Sequence, residues 1–110
     1  MPTKNSFGSY DPRIASDFVK QWEGRKLKAY RCSAGVWTVG YGHTAGVKEG
    51  DTITASEADE LLVKDLRARA QALTPFVNVP VTEWQFVALL SLAFNVGVTA
   101  VKKSSLLRLL

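Results

Sequence analysis

Apolar residues recur at helical spacing in three stretches of the chain, and each stretch carries signals for a helix end. The first covers residues 11–24, where Asp11-Pro12 is a typical helix start. Capping-box patterns predict the starts of two longer helices at Thr54 and Thr82. The second of these is apolar on nearly all sides from Trp84 to Val96, which is typical of a helix at the centre of a core.

Two short runs of aromatic and β-branched residues follow the first helix and predict a β-hairpin. The runs span residues 27–32 and 36–41, with Ser33-Ala34-Gly35 as a three-residue loop between them. In that register Cys32 and Thr38 share one face of the hairpin. A loop one residue longer would shift the register and separate them.

These elements predict a single domain of the α+β class, mainly helical, with a small antiparallel hairpin or three-stranded sheet after the first helix. We expect a flexible lead-in over residues 1–10, the first helix over 11–24, a β-rich lobe over 25–53 and a helical part over 54–110. The third strand is expected near residues 52–53.

The last residues, L-L-R-L-L, include no glycine, no cap and no polar finish, so we expect C-terminal helices of the fold to be missing. The apolar helix from Trp84 to Val96 would then lack cover on one side. We expect an exposed apolar patch there, and a monomer that can self-associate through it.

Composition narrows the classes of function. The net charge of +4 and the pI near 9.4 favour a polyanionic partner, and no recognition motif points to nucleic acid. One cysteine and one histidine exclude an intrachain disulfide and a multi-thiolate metal site, so we expect neither metal nor cofactor. No apolar run suits a membrane span or a signal peptide. We therefore expect the chain to stay in the cytoplasm until something else releases it, without stable membrane insertion.

Glu23, near the end of the first predicted helix, has the strongest claim to carry chemistry. It lies four residues beyond Val19, so it extends the apolar side of that helix and is close to the negative end of the helix dipole. Both effects favour the protonated carboxyl, which is the form a general acid needs. The alternative is a solvated terminal glutamate with no chemical role.

The stretch W-E-G-R-K-L-K-A-Y-R-C-S-A-G-V-W-T-V-G-Y-G-H-T resembles the phage-type lysozymes, glycoside hydrolase family 24. Their signature is Glu, eight residues, Asp or Cys, five residues and Thr, and it falls on Glu23, Cys32 and Thr38 without a gap. The later stretches T-I-T-A-S-E-A and Q-F-V-A-L-L-S-L-A-F-N-V-G also resemble helices of that family. The resemblance runs from about residue 14 to residue 110, although many relatives carry Asp at the position of Cys32.

The resemblance implies an endolysin that cuts the β-1,4 bond between N-acetylmuramic acid and N-acetylglucosamine in bacterial peptidoglycan during host lysis. Glu23 would be the general acid, Thr38 would hold the attacking water, and Cys32 would take the place of the usual carboxylate. By the same resemblance Thr44, Phe94 and Ser105 lie near sugar-contacting positions. Ser104 fits almost as well as Ser105.

Each of these positions also has a structural interpretation. Cys32 could be a small buried hydrophobe, Thr38 an ordinary strand residue and Phe94 a core aromatic. His43 is expected to be structural and paired with an acidic residue, as in the family. For the whole chain the alternatives are a non-catalytic peptidoglycan-binding fragment, or a cationic membrane-active protein that acts through V-K-K-S-S-L-L-R-L-L.

Overall fold

The computed structural model of the protein describes residues 3–103. It is an α+β fold in which helices predominate and two small antiparallel sheets accompany them, as the sequence predicts. The elements in chain order are β1 (Lys4–Asn5), α1 (Ser16–Lys20), β2 (Lys26–Arg31), β3 (Trp37–Gly40), α2 (Ala55–Leu73), β4 (Val81–Thr82), α3 (Glu83–Val96) and α4 (Val98–Lys103). None of the helices within residues 3–103 is both long enough and apolar enough to cross a membrane.

One side of α3 forms the centre of the core, as its apolar sequence predicts. Phe86 and Leu90 are completely buried, and both belong to a cluster that includes Leu62 and Leu66 of α2. Gly97 ends the helix with a positive φ of 93°, a conformation that suits glycine because it has no Cβ. The packing of α3 against α2 therefore holds the helical part together.

Both predicted capping boxes are present and begin the two long helices where the sequence places them. The Thr54 hydroxyl accepts from the Glu57 N–H, and the Glu57 carboxylate accepts from the Thr54 N–H. Thr82 and Gln85 make the same reciprocal pair at the start of α3. Local side-chain chemistry thus determines both helix starts.

The N-terminal residues that the structure describes are packed against the core, so the predicted flexible lead-in over residues 1–10 is wrong for residues 3–10. Strand β1 pairs with β4, and the Tyr10 hydroxyl donates to the Val81 carbonyl at 2.7 Å. Phe7 is 1% exposed, with its ring centroid 4.8 Å from that of Phe86. Burial of this aromatic ring stabilises the segment, and no local sequence pattern reveals that packing.

The first helix differs from the predicted continuous helix over 11–24. Asp11 caps it as predicted, but Pro12–Ala15 form a 3₁₀ turn before α1, which ends at Lys20. Trp22 is 73% exposed rather than part of a buried stripe. The apolar spacing is correct, but among the described residues no element covers the Trp22 side of the helix.

The hairpin has the predicted three-residue loop and the predicted register next to it, but an irregularity between Lys26 and Tyr30 shifts the register farther from the loop. Tyr30 pairs with Thr38, and the Cys32 N–H donates to the Val36 carbonyl at 2.9 Å. The predicted third strand is present only as a single bridge, in which Lys28 lies opposite Thr52.

The hairpin is held against the helical part through Gly40. At this position φ is 67°, and an added Cβ would lie 3.7 Å from the Ala58 backbone. The close approach brings β3 onto the first turn of α2. Lys20 reinforces the same junction from α1, since its ammonium lies 2.9 Å from the Asp59 carboxylate.

We predict that Phe7→Ala destabilises the protein by about 3–5 kcal/mol, because it leaves a cavity against Phe86. Thermal and urea unfolding would measure the change. Phe76→Ala is the matched control, because Phe76 is 42% exposed and should cost much less. Equal losses for the two variants would contradict the packing role of the N-terminal segment.

The open side of α3 leads to a second prediction. Trp84 and Val96 are 63% and 52% exposed, and Trp84 lies edge-on to Phe18 at 5.5 Å. Exposed apolar side chains of this size favour association. We expect sedimentation velocity to detect concentration-dependent self-association that Trp84→Gln weakens and Phe76→Gln does not. A protein that stays monomeric over the whole concentration range would contradict this prediction.

Candidate active site

Glu23 lies one turn beyond α1, where the helical hydrogen bonding continues past the last regular residue. Its N–H donates to the Val19 carbonyl at 3.1 Å, so the chain is still wound as a helix at this position. The side chain is half-buried. The short helix thereby fixes the direction in which the carboxyl group points.

The Glu23 side chain borders a pocket of about 320 Å³ between α1 and α3. Most of its lining is apolar, and Phe94 is the residue that the resemblance also places near the sugars. The lining residues are Phe18, Val19, Trp22, Glu23, Ala88, Ser91, Leu92, Phe94 and Asn95. The Arg69 guanidinium lies 4.8 Å from the Phe94 ring centroid, a cation–π contact that orients the ring.

Cys32 lies directly after β2, at the start of the hairpin loop. Its carbonyl accepts from the Gly35 N–H at 2.8 Å, which closes the loop, and its side chain is partly exposed. Hydrogen bonds from the backbone amides of Val36 and Ala34, with a further one from the Thr38 hydroxyl, lower the pKa of the Cys32 thiol. The loop therefore favours the thiolate.

Thr38 lies in β3 and is 3% exposed. Its hydroxyl donates to the Val36 carbonyl at 3.0 Å, and the Cys32 sulfur is also within its reach. A threonine hydroxyl has a single proton, so it donates either to the carbonyl or to a thiolate. In the structure it donates to the Val36 carbonyl.

The structure joins the predicted site residues in two groups. Thr38 is among the groups that lower the pKa of the Cys32 thiol on the hairpin, whereas Glu23 and Phe94 both line the helical pocket. Among the residues that the structure describes, neither Cys32 nor Thr38 lines that pocket. The two groups come from adjacent parts of the chain, the end of α1 and the hairpin that follows it.

The structure says less about the two remaining positions that the resemblance places near the sugars. Thr44 is exposed in the turn after β3, where its carbonyl accepts from the Val47 N–H. Ser105, with its alternative Ser104, lies outside the described residues. Neither position is drawn into the helical pocket by a described contact.

Ser91 and Asn95 are polar pocket residues that the sequence analysis does not single out. Within residues 3–103 the Ser91 hydroxyl oxygen is buried and has no hydrogen-bond partner. Ser91 is three residues before Phe94, so the two share a helix face. This spacing could have indicated from the sequence that Ser91 lies near Phe94.

His43 is tied into the structure at both ring nitrogens. Nδ1 lies 2.9 Å from an Asp65 carboxylate oxygen of α2, and Nε2 lies 3.1 Å from the Ala45 carbonyl. The acidic partner expected for His43 is thus Asp65, and the pair links the turn after β3 to α2. Within the described part of the chain, no group of three or more His, Cys, Asp and Glu residues could hold a metal ion.

The sequence matches a known protein family. The sequence pattern of the family described as Phage lysozyme matches residues 20–110, which include Glu23, Cys32 and Thr38. The chain belongs to the phage lysozyme family. This confirms the resemblance seen in the sequence.

Relatives within the phage lysozyme family are longer than this chain. It is 45% identical over 90 residues to an endolysin of Acyrthosiphon pisum secondary endosymbiont phage 1, covering 82% of this chain and 62% of the relative. It is 43% identical over 95 residues to an endolysin of Salmonella phage P22, covering 82% and 65%. The muramidase domain of SpmX from Asticaccaulis excentricus has a similar structure, with 38% identity, a TM-score of 0.83 and coverage of 90% and 67%. The chain spans about two thirds of the length of these proteins.

The lowered pKa of Cys32 leads to a prediction about thiol reactivity. Iodoacetamide should alkylate Cys32 with a rate midpoint below the pH of about 8.5 expected for an ordinary thiol, because the thiolate is the nucleophile. Mass spectrometry over a pH series measures the midpoint.

Thr38→Val should move this midpoint upward, since it removes the hydroxyl that can donate to sulfur. Thr99→Val, at an exposed position of α4, is the control and should leave it unchanged. A wild-type midpoint at or above the ordinary value would contradict the stabilisation of the thiolate by the loop amides.

Proposed function

We propose that the protein is an endolysin that hydrolyses the β-1,4 bond between N-acetylmuramic acid and N-acetylglucosamine in bacterial peptidoglycan during host lysis. The observation that carries the proposal is the position of Glu23. Its carboxyl borders a pocket between two helices, and the family spacing connects it without a gap to the Cys32–Thr38 pair. Membership of the phage lysozyme family supports the same reaction class.

Glu23 is the general acid in this proposal. Hydrolysis of a glycosidic bond requires a proton on the departing oxygen while positive charge develops at the anomeric carbon. Glu23 is the only carboxylate among the described residues that line the helical pocket. Phe94 in the opposite wall would pack against a sugar ring, and Thr44 and Ser105 would supply polar contacts.

Cys32 and Thr38 would act at the anomeric carbon, where positive charge develops. A Cys32 thiolate would supply the negative charge that faces the oxocarbenium-like centre, in the place where many relatives have a carboxylate. The hydrogen bonds that lower its pKa support this role. Thr38 would hold the attacking water through its hydroxyl oxygen, which accepts a hydrogen bond even while its proton is donated elsewhere.

The proposed partner is the peptidoglycan of the bacterial cell wall. An endolysin of this kind would be held in the host cytoplasm until a separate route gives it access to the wall. The chain would act without a cofactor, since acid catalysis by Glu23 and the negative charge of Cys32 supply the groups that the reaction requires.

We predict that Glu23→Gln lowers the rate of peptidoglycan hydrolysis by at least about 10²-fold, because an amide is far too weak an acid to transfer a proton to the departing oxygen. Clearing of purified peptidoglycan and release of reducing ends measure the rate. Glu60→Gln, which removes an exposed carboxylate of α2, is the matched control and should retain full activity.

The same assay separates the alternatives. Equal clearing by wild type and Glu23→Gln would refute the assignment of Glu23. Sedimentation with peptidoglycan without any release of reducing ends would identify a non-catalytic binding fragment. Dye leakage from anionic vesicles that survives Glu23→Gln would identify a membrane-active protein.

A further inference from the structure

Positive charge is concentrated in one segment of the chain. Residues 24–48 contain five Lys and Arg residues and no Asp or Glu, while the other 85 residues hold nine basic and ten acidic residues. The net charge of +4 therefore comes entirely from this segment. We call residues 24–48 the cationic segment; its basic residues are Arg25, Lys26, Lys28, Arg31 and Lys48.

The cationic side chains of this segment are available to a partner. All five are exposed, and within residues 3–103 none of them takes part in a salt bridge. Arg31 lies over the Trp37 ring at 5.8 Å from the centroid, which leaves its guanidinium edge open. Two basic residues outside the segment, Arg13 and Lys20, are instead paired with Asp11 and Asp59.

The cationic segment also surrounds the candidate active site in sequence. Arg25 follows Glu23 by two residues, and Arg31 directly precedes Cys32. Lys26 and Lys28 lie on β2, the strand that pairs with β3 and so positions Thr38. Cations without a salt-bridge partner therefore adjoin the candidate site residues in sequence and lie on the hairpin that carries Thr38.

We propose that the cationic segment binds the free carboxylates of the peptide stems of peptidoglycan. The inference rests on the proposed function and names the part of the substrate that the segment recognises. The sugars at the scissile bond are uncharged, so they give no reason for a field of positive charge around the site. The peptide stem is attached to N-acetylmuramic acid, next to that bond, and its free carboxylates are the negative charges of the polymer. Ammonium and guanidinium groups pair with carboxylates directly.

Cosedimentation with peptidoglycan free of teichoic acid tests the proposal, and Glu23→Gln is used as the background so that the polymer stays intact. Adding Arg25→Gln, Lys26→Gln and Lys28→Gln together should weaken binding roughly tenfold at low salt, because each exposed pair contributes little and several add. Peptidoglycan with amidated carboxyl groups should bind all variants equally weakly. Added salt should reduce the difference, because it screens exposed charges.

Two further sets of three substitutions serve as controls. Lys4→Gln, Lys64→Gln and Lys103→Gln together remove the same charge from exposed positions outside the segment and should leave binding nearly unchanged. The charge-conserving set Arg25→Lys, Lys26→Arg and Lys28→Arg should retain binding.

Equal loss in both neutralised sets would show that only net charge matters, and undiminished binding to amidated polymer would exclude carboxylate recognition. Binding only to walls that carry teichoic acid would assign the segment to phosphate instead. A wild-type chain that binds in this way but releases no reducing ends would refute the proposed hydrolysis and leave this inference standing.

Discussion

The packing of α3 is the constraint on which the rest of the structure depends. Its Phe86 side is buried against α2 and against Phe7 of the N-terminal segment, so these elements have one relative arrangement. The helix turn before Glu23 packs against the same core through Val19. The Glu23 side chain thereby lies at a pocket rather than in open solvent, which is compatible with the proposed role as general acid.

The hairpin places the Cys32 thiol and the Thr38 hydroxyl in the same part of the chain. The loop amides of Ala34 and Val36 lower the pKa of the Cys32 thiol, so stabilisation of the thiolate comes from the backbone of a three-residue loop. A carboxylate at this position would be ionised at neutral pH without such help. We infer that a cysteine requires the tight loop more than an aspartate would.

Local interactions explain which features could be predicted from the sequence. Thr54 and Thr82 begin their helices through side chains three residues away, and the register that joins Cys32 to Thr38 follows from the length of one loop. The pairing of β1 with β4 joins segments more than 70 residues apart, and no local pattern contains that information. The pocket that joins Glu23 to Phe94 likewise arises from the packing of distant helices.

The protein exposes two kinds of surface, and the physical difference between them favours different partners. The exposed Trp84 side of α3 gains free energy when it is covered, at roughly 25 cal/mol per Å² of apolar surface, whatever the chemistry of the covering group. The cationic segment gains from opposite charge alone, and only while salt does not screen it. A partner that covers the apolar surface and an anionic polymer therefore use different interactions and need not compete. The positive charge of the segment would therefore favour an anionic polymer over a neutral glycan as the partner.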